Sequence, residues 1–201
     1  MGQAGKRGSE KRAARRRGFL GRFARDRRGS TAIEFAALAI PFALLVFAIL
    51  ESCLSFAGQE VLTNATDDIA RQLRTGQLKV VTVDSLKQKI CHELEILMAN
   101  ECTDRLKVDL RKYDSYVEAA GYSYKIANGE IVLMKGTSED QKQFVAEPGG
   151  EETINMLRVF YKWPVITDFL AKSMAGLDFK GNRNSTLHFA TNTWFNEPYG
   201  S

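Results

Sequence analysis

Histidine occurs twice, cysteine three times and proline four times in 201 residues. Two histidines without a CxxC pair leave no ligand set for a zinc site. His92-Glu93-Leu94-Glu95 opens like a zinc-protease helix, but the second histidine would fall at position 96, which is Ile96. His188 stands alone in a strand-like pattern and reads as a surface or core residue. No GxxxxGK[ST], GxGxxG or GxSxG is present, so phosphate-loop, dinucleotide and serine-hydrolase chemistry have no motif to stand on. Carboxylates are plentiful, yet no spacing singles out a pair, and Asp67-Asp68 reads as a solvated helical face. The expectation is a protein with no catalytic residue, no bound metal and no cofactor. Three cysteines are too few for a disulfide-built miniprotein. Hydrophobic residues at 44% and charged residues at 26% exclude a disordered chain.

The formal charge is +4 and the sequence pI is near 9.0, which suggests nucleic acid until the charge is located. Residues 1–28 hold eleven cations and two acids, Glu10 and Asp26, a balance of +9. That leaves 17 of the 28 cations and 22 of the 24 acids, so residues 29–201 carry −5. The basic pI belongs to a short arm, and no nucleic-acid partner is expected.

Past Arg28-Gly29 comes Ser30-Thr31-Ala32-Ile33-Glu34, then sixteen residues without a charge, FAALAIPFALLVFAIL, over 35–50. As a helix, residues 30–50 would measure ~31 Å at ~1.5 Å per residue, enough to cross a hydrocarbon core of ~30 Å. A buried core helix is the competing reading, but the run is apolar on every face and follows directly on the +9 block. The eleven cations hold the arm in the cytoplasm by the positive-inside rule, which places the C-terminal body outside it. Pro41 would break a soluble helix, whereas a membrane helix tolerates it when neighbours satisfy the freed carbonyl. Glu34 lies ~6 Å along the helix from Ser30. It is either an acid snorkelling at the cytoplasmic interface or one that requires a cation beside it in the membrane, since an unpaired carboxylate at a helix centre costs about 2.5–3.5 kcal/mol.

Arg28-Gly29-Ser30, with Glu34 fifth after the glycine, resembles the cleavage region of type IV prepilin-like proteins. The longer stretch RRGSTAIEFAALAIPFALLVFAILE resembles the start of TadE-like proteins, minor pseudopilins of tight-adherence (Tad, Flp-type) pilus systems. The end of the chain, Trp194-Phe195-Asn196-Glu197-Pro198-Tyr199, is similar to the tails of many such proteins. The likeness covers the first quarter and the last few residues. It implies cleavage between Gly29 and Ser30 by a prepilin peptidase, with Glu34 as the assembly acid. Cleavage would expose an α-amine on Ser30, and amine and carboxylate of adjacent subunits could pair, which offsets the burial of either. The partners implied are that peptidase, other TadE/TadF-like pseudopilins, an inner-membrane assembly platform and the major pilin. Assembly would be driven by a separate ATPase. The location implied is the inner membrane, single-span, with a cytoplasmic N-terminus and a periplasmic, pilus-associated C-terminal domain. The alternative is an uncleaved single-pass protein whose outer domain binds a ligand.

Three other addresses compete for the same N-terminus. Arg16-Arg17-Gly18-Phe19-Leu20 resembles a twin-arginine motif, but Arg22, Arg25, Arg27 and Arg28 separate it from the apolar run. Leu50-Glu51-Ser52-Cys53 resembles a lipoprotein box spoiled by Glu51. Signal-peptidase cleavage near Ala57-Gly58 would need a shorter apolar region.

The expected fold is α+β: a long membrane and stalk helix, then a small antiparallel-sheet head with one or two packed helices. The expected boundaries are a leader at 1–29, a transmembrane helix at 30–51, a stalk at 52–76 and the head at 77–201. Val61, Ala65, Ile69 and Leu73 form one stripe, so the helix should continue to Arg74 and stop at Gly76. A second helix is expected over 84–99, capped by Thr82 or Asp84. Leu106, Val108 and Leu110 alternate with Lys107, Asp109 and Arg111, the pattern of a half-buried strand. Two strands should flank the hairpin dipeptide Asn128-Gly129, followed by a loop over 137–150. Another strand should cover 157–163, then a short helix 165–175 and a last strand 187–195. In an exported head, Cys91 and Cys102 are expected to pair, the alternative being two unpaired core thiols. Cys53 is left over and reads as a small packing residue.

Overall fold

The computed structural model describes residues 30–78, 80–95, 101–167, 172 and 175–198. The chain divides into two compact units, Met1–Phe47 and Ala48–Ser201. The first helix, α1, is Ser30–Arg74 and carries Pro41 inside it. Its end follows from Gly76, whose φ of 71° suits glycine. Gly76 N–H donates to the Leu73 carbonyl, and the amides of Gln77 and Leu78 both donate to that of Gln72. These bonds satisfy carbonyls that the helix leaves open.

Helix α2 is Val83–Leu94, shorter than the 84–99 expected, with residues 96–100 outside the described residues. Thr82 caps it in a reciprocal box with Ser85, and Leu86, Ile90 and Leu94 face the core. A single turn, α3, Cys102–Arg105, leads into β1, Leu106–Tyr113. Helix α4 is Tyr116–Ala120. Strands β2, Tyr122–Ala127, and β3, Glu130–Lys135, form the hairpin about Asn128-Gly129, both with positive φ. The expected loop contains two short strands, β4, Ser138–Glu139, and β5, Ala146–Glu147. Strand β6 is Ile154–Pro164. The expected helix 165–175 falls largely on residues outside the described ones. Strand β7, Leu177–Phe179, turns through Lys180-Gly181 into β8, Asn182–Phe195. That turn extends the last strand five residues ahead of its expected start.

Two sheets result, β5-β1-β6-β8-β7 and β2-β3-β4. All pairings are antiparallel except the two-residue parallel pair of β5 with β1. One face of the larger sheet carries Leu157, Val159, Tyr161 and Trp163 of β6 with Ala190 and Trp194 of β8. It packs on α2 and on Leu62, Ala65, Ile69, Ala70 and Leu73 of α1. The segment read as a stalk is therefore part of the head's own core. The opposite face is covered by the smaller sheet, through Ile131 and Leu133 against Phe160 and Leu177.

This second cover corrects the reading of β1 as half-buried. Asp109 and Arg111, like Arg158 and Lys162 of β6, are buried between sheets rather than solvated. Such charges persist in an interior only when paired, and these are. Asp109 accepts from Arg111 Nε at 2.9 Å, Arg158 Nη2 at 2.5 Å and the Val145 amide at 3.1 Å. Arg111 also pairs with Asp140 and donates to the Lys142 carbonyl. Lys162 Nζ reaches Glu130 Oε1 at 2.6 Å and the Asp178 carbonyl at 2.7 Å.

Candidate functional site

The residues singled out at the N-terminus are Gly29, Ser30 and Glu34. Gly29 lies outside the described residues, and Ser30 is the first residue of α1. Glu34 lies one turn further along, on an exposed stretch of the helix. Ile33, Phe35, Leu38 and Phe42 are each at least 66% exposed. An eighteen-residue window of α1 has a mean hydropathy of 2.5 and none of it is buried. A helix apolar on every side and left uncovered by the described residues has the surface of a segment whose solvent is lipid. It is the one helix among the described residues long and apolar enough to cross a membrane.

From Glu51 onward α1 carries polar groups that seize the head. Glu51 is the sole charge between Glu34 and Glu60. Its carboxylate accepts from the Ile166 amide at 2.5 Å, the Thr167 amide at 3.3 Å and the Thr167 hydroxyl at 2.6 Å. One turn on, Ser55 Oγ meets His188 Nε2 at 2.9 Å. Gly58 follows, and a Cβ built there would fall 2.1 Å from the Trp163 ring. Only a glycine lets the sheet come this close. Gln59 then uses both ends of its amide on Phe189, donating to its carbonyl at 2.9 Å and accepting from its N–H at 3.2 Å. A side-chain amide thereby occupies backbone groups on the open edge of β8, which would otherwise offer themselves to another strand.

Ser55 with His188 has the outline of a nucleophile and its base. His188, however, is stacked on Trp163 at 4.7 Å, and burial pushes its pKa down to about 4. Its Nδ1 is buried without a hydrogen-bond partner among the described residues. An imidazole without an orienting acid, neutral and a poor proton acceptor, does not activate a serine. The pair holds a helix to a strand. Among the described residues no three His, Cys, Asp or Glu side chains gather to hold a metal ion.

Cys91, on α2, and Cys102, at the start of α3, form a disulfide with Cα atoms 5.8 Å apart. Cys53 is free and exposed. Of the similar tail, Asn196 is buried and accepts from Trp194 Nε1 at 2.7 Å, while its own amide donates to the Gly149 and Gly150 carbonyls. Glu197 pairs with Arg74 at 2.9 Å, and Tyr199 lies outside the described residues.

The reading of residues along the chain missed the contacts of Glu51, Ser55, Gly58 and Gln59. One signal was present: an isolated acid directly after an uncharged run of sixteen residues. Its partners lie 115 residues away in sequence, where no local pattern reveals them. No curated protein and no solved structure matches the chain. A family model described as TadE-like protein does match, over residues 29–71, from the glycine that closes the basic flank to the amphipathic half of α1, and over that segment the chain is similar to that family.

Proposed function

We propose that the protein is a minor pseudopilin of a Tad pilus system, a structural and assembly component rather than an enzyme. The observation that carries this reading is the family match, which begins at Gly29 and runs through the exposed apolar part of α1. A prepilin peptidase cuts after Gly29, removing the +9 arm and leaving a mature chain of −5 that begins at Ser30. The arm first sets topology, with its cations in the cytoplasm and the head in the periplasm. Once cut, the chain retains α1 as a single-span anchor in the inner membrane. Its partners are other TadE/TadF-like pseudopilins, the assembly platform and the major pilin, and it helps to initiate or organise pili used in surface adherence. Glu34 pairs with the new α-amine of a neighbouring subunit, which offsets the cost of a carboxylate near hydrocarbon.

N-terminal sequencing of the mature protein, with and without the peptidase, is the direct test. Ser30 at the start only when the peptidase is present supports the reading. Met1 or Gly2 at the start in both cases would leave an uncleaved anchored binding domain. In the same cells Glu34→Ala should be processed normally yet yield few or no pili. Wild-type piliation from that variant would remove Glu34 from the assembly step.

A further inference from the structure

Glu51, the residue directly after the uncharged run 35–50, is hydrogen-bonded to the head. That run is ~24 Å long as a helix, shorter than a hydrocarbon core of ~30 Å, so about four more residues must join it. If they come from the N-terminal side, Glu51 stands at the outer edge of the core. If Glu34 instead snorkels at the inner interface, the core reaches residue ~54 and Glu51 lies within it. Either register puts the turn that Glu51 holds at the lipid boundary.

The surface of that turn suits the position. Ile166, whose amide Glu51 accepts, is 77% exposed. Three and five residues past Glu51 on the helix, Leu54 is 50% exposed and Phe56 is 72% exposed. The charge among them belongs to Glu51, whose carboxylate is occupied by two amides and a hydroxyl of 166–167. That occupation lowers the cost of placing it near hydrocarbon. Ile166 thus adds to the exposed apolar surface that Ile49, Leu50, Leu54 and Phe56 present on the same unit.

We propose that the turn at Ile166 is a membrane seat: the head rests on the outer interface of the bilayer, with Ile166, Leu54 and Phe56 in contact with lipid. Glu51 is the positioning residue that presents the turn. The occupant is the bilayer itself, because the helix that carries Leu54 and Phe56 also carries the uncharged run long and apolar enough to cross it. The inference rests on the reading of α1 as the anchor.

The test uses the full chain with Cys53→Ser, its disulfide kept oxidised, in phosphatidylcholine and phosphatidylglycerol vesicles. Single nitroxides are placed by Ile166→Cys, Leu54→Cys, Leu44→Cys and Glu151→Cys. Their relaxation by oxygen, which partitions into lipid, is compared with that by a water-soluble nickel chelate. The oxygen-to-nickel ratio at 166 and 54 should exceed that at 151 several-fold and approach that at 44. Ile166 is exposed, so its substitution leaves the core intact, and Leu54 gives an independent position on the helix. A ratio at 166 equal to that at 151, with 44 still in lipid, overturns the seat and leaves the anchor standing. A water-like ratio at 44 overturns both.

Discussion

Asp109 sits in the middle of β1 with no exposed surface, and three donors converge on it. Replacing it with alanine would leave Arg111 one acid, Asp140, and would strip Arg158 of its ion-pair partner among the described residues. The loss of one partner from a buried pair typically costs about 3–5 kcal/mol. Asp109→Ala should therefore lower the unfolding midpoint in urea, while Lys125→Ala, which breaks an exposed pair with Glu139 at 2.7 Å, should leave it nearly unchanged. Equal shifts in the two would argue against the buried network. His188 makes a different prediction. Its folded pKa lies near 4, below the ordinary value of 6.5, because burial disfavours the cation. Between those values the unfolded chain binds the extra proton, so stability falls as pH drops from about 6.5 towards 4. The full loss from this one group is about 3 kcal/mol. His188→Gln should flatten that part of the stability profile by urea titration. A variant with the wild-type slope would assign the slope to other groups. Neither residue's role could be read along the chain. Alternation placed Asp109 on a polar face, and it could not show that a second sheet covers that face.

The ends and faces of the helices were legible because local chemistry sets them. The stripe Val61, Ala65, Ile69, Leu73 predicted the face that α1 buries, and Gly76 predicted its end. In the fold the buried set is Leu62, Ala65, Ile69, Ala70 and Leu73, a slightly rotated stripe with Val61 at its margin. Thr82 and Asp84 were both candidates for the cap of α2, and Thr82 is the one that caps it. Asn128-Gly129 was expected as a hairpin and is one. The glycine at 58 was not legible, since a glycine inside a helix signals only a cost of about 1 kcal/mol relative to alanine. Its reason is the Trp163 ring of β6. Gly58→Val should force the helix and sheet apart and destabilise the head by about 1–3 kcal/mol. Thermal unfolding of Gly58→Val beside an exposed control, Asn64→Ala on the same helix, checks this. An unshifted melting temperature would mean that Trp163 can move aside.

For the molecule as a whole, charge and cross-linking act at different ends. The +9 arm and the −5 remainder are properties of composition, and in the proposed function the arm serves topology. The disulfide joins Cys91 to Cys102 across eleven positions and ties α2 to the start of β1 through α3. In the chain-entropy model such a loop contributes about 3 kcal/mol. The double replacement Cys91→Ser with Cys102→Ser should lower stability by about that amount in urea, and reductant should do the same to the native chain. Reductant without effect on the native chain would mean that the bond constrains little of the unfolded state. The compartment and an even pair of head cysteines suggested the bond. That α3 turns the chain back beside α2 is a property of the fold.

The membrane segment, its flanking charge, the helix stops and caps, the hairpin and the strand periods were all local, and short-range sterics and hydropathy suffice to specify such features. The layering was not local. A period of two says that a strand has two faces, but not how many of them another element will cover. The smaller sheet covers the charged faces of β1 and β6, and this turned a supposed solvent surface into a buried ion-pair network. The helix read as a stalk became core because Gly58 and Gln59 meet residues 105 and 130 positions away. Contacts over such separations form only once the chain has closed on itself, which is why no window along it could hold them.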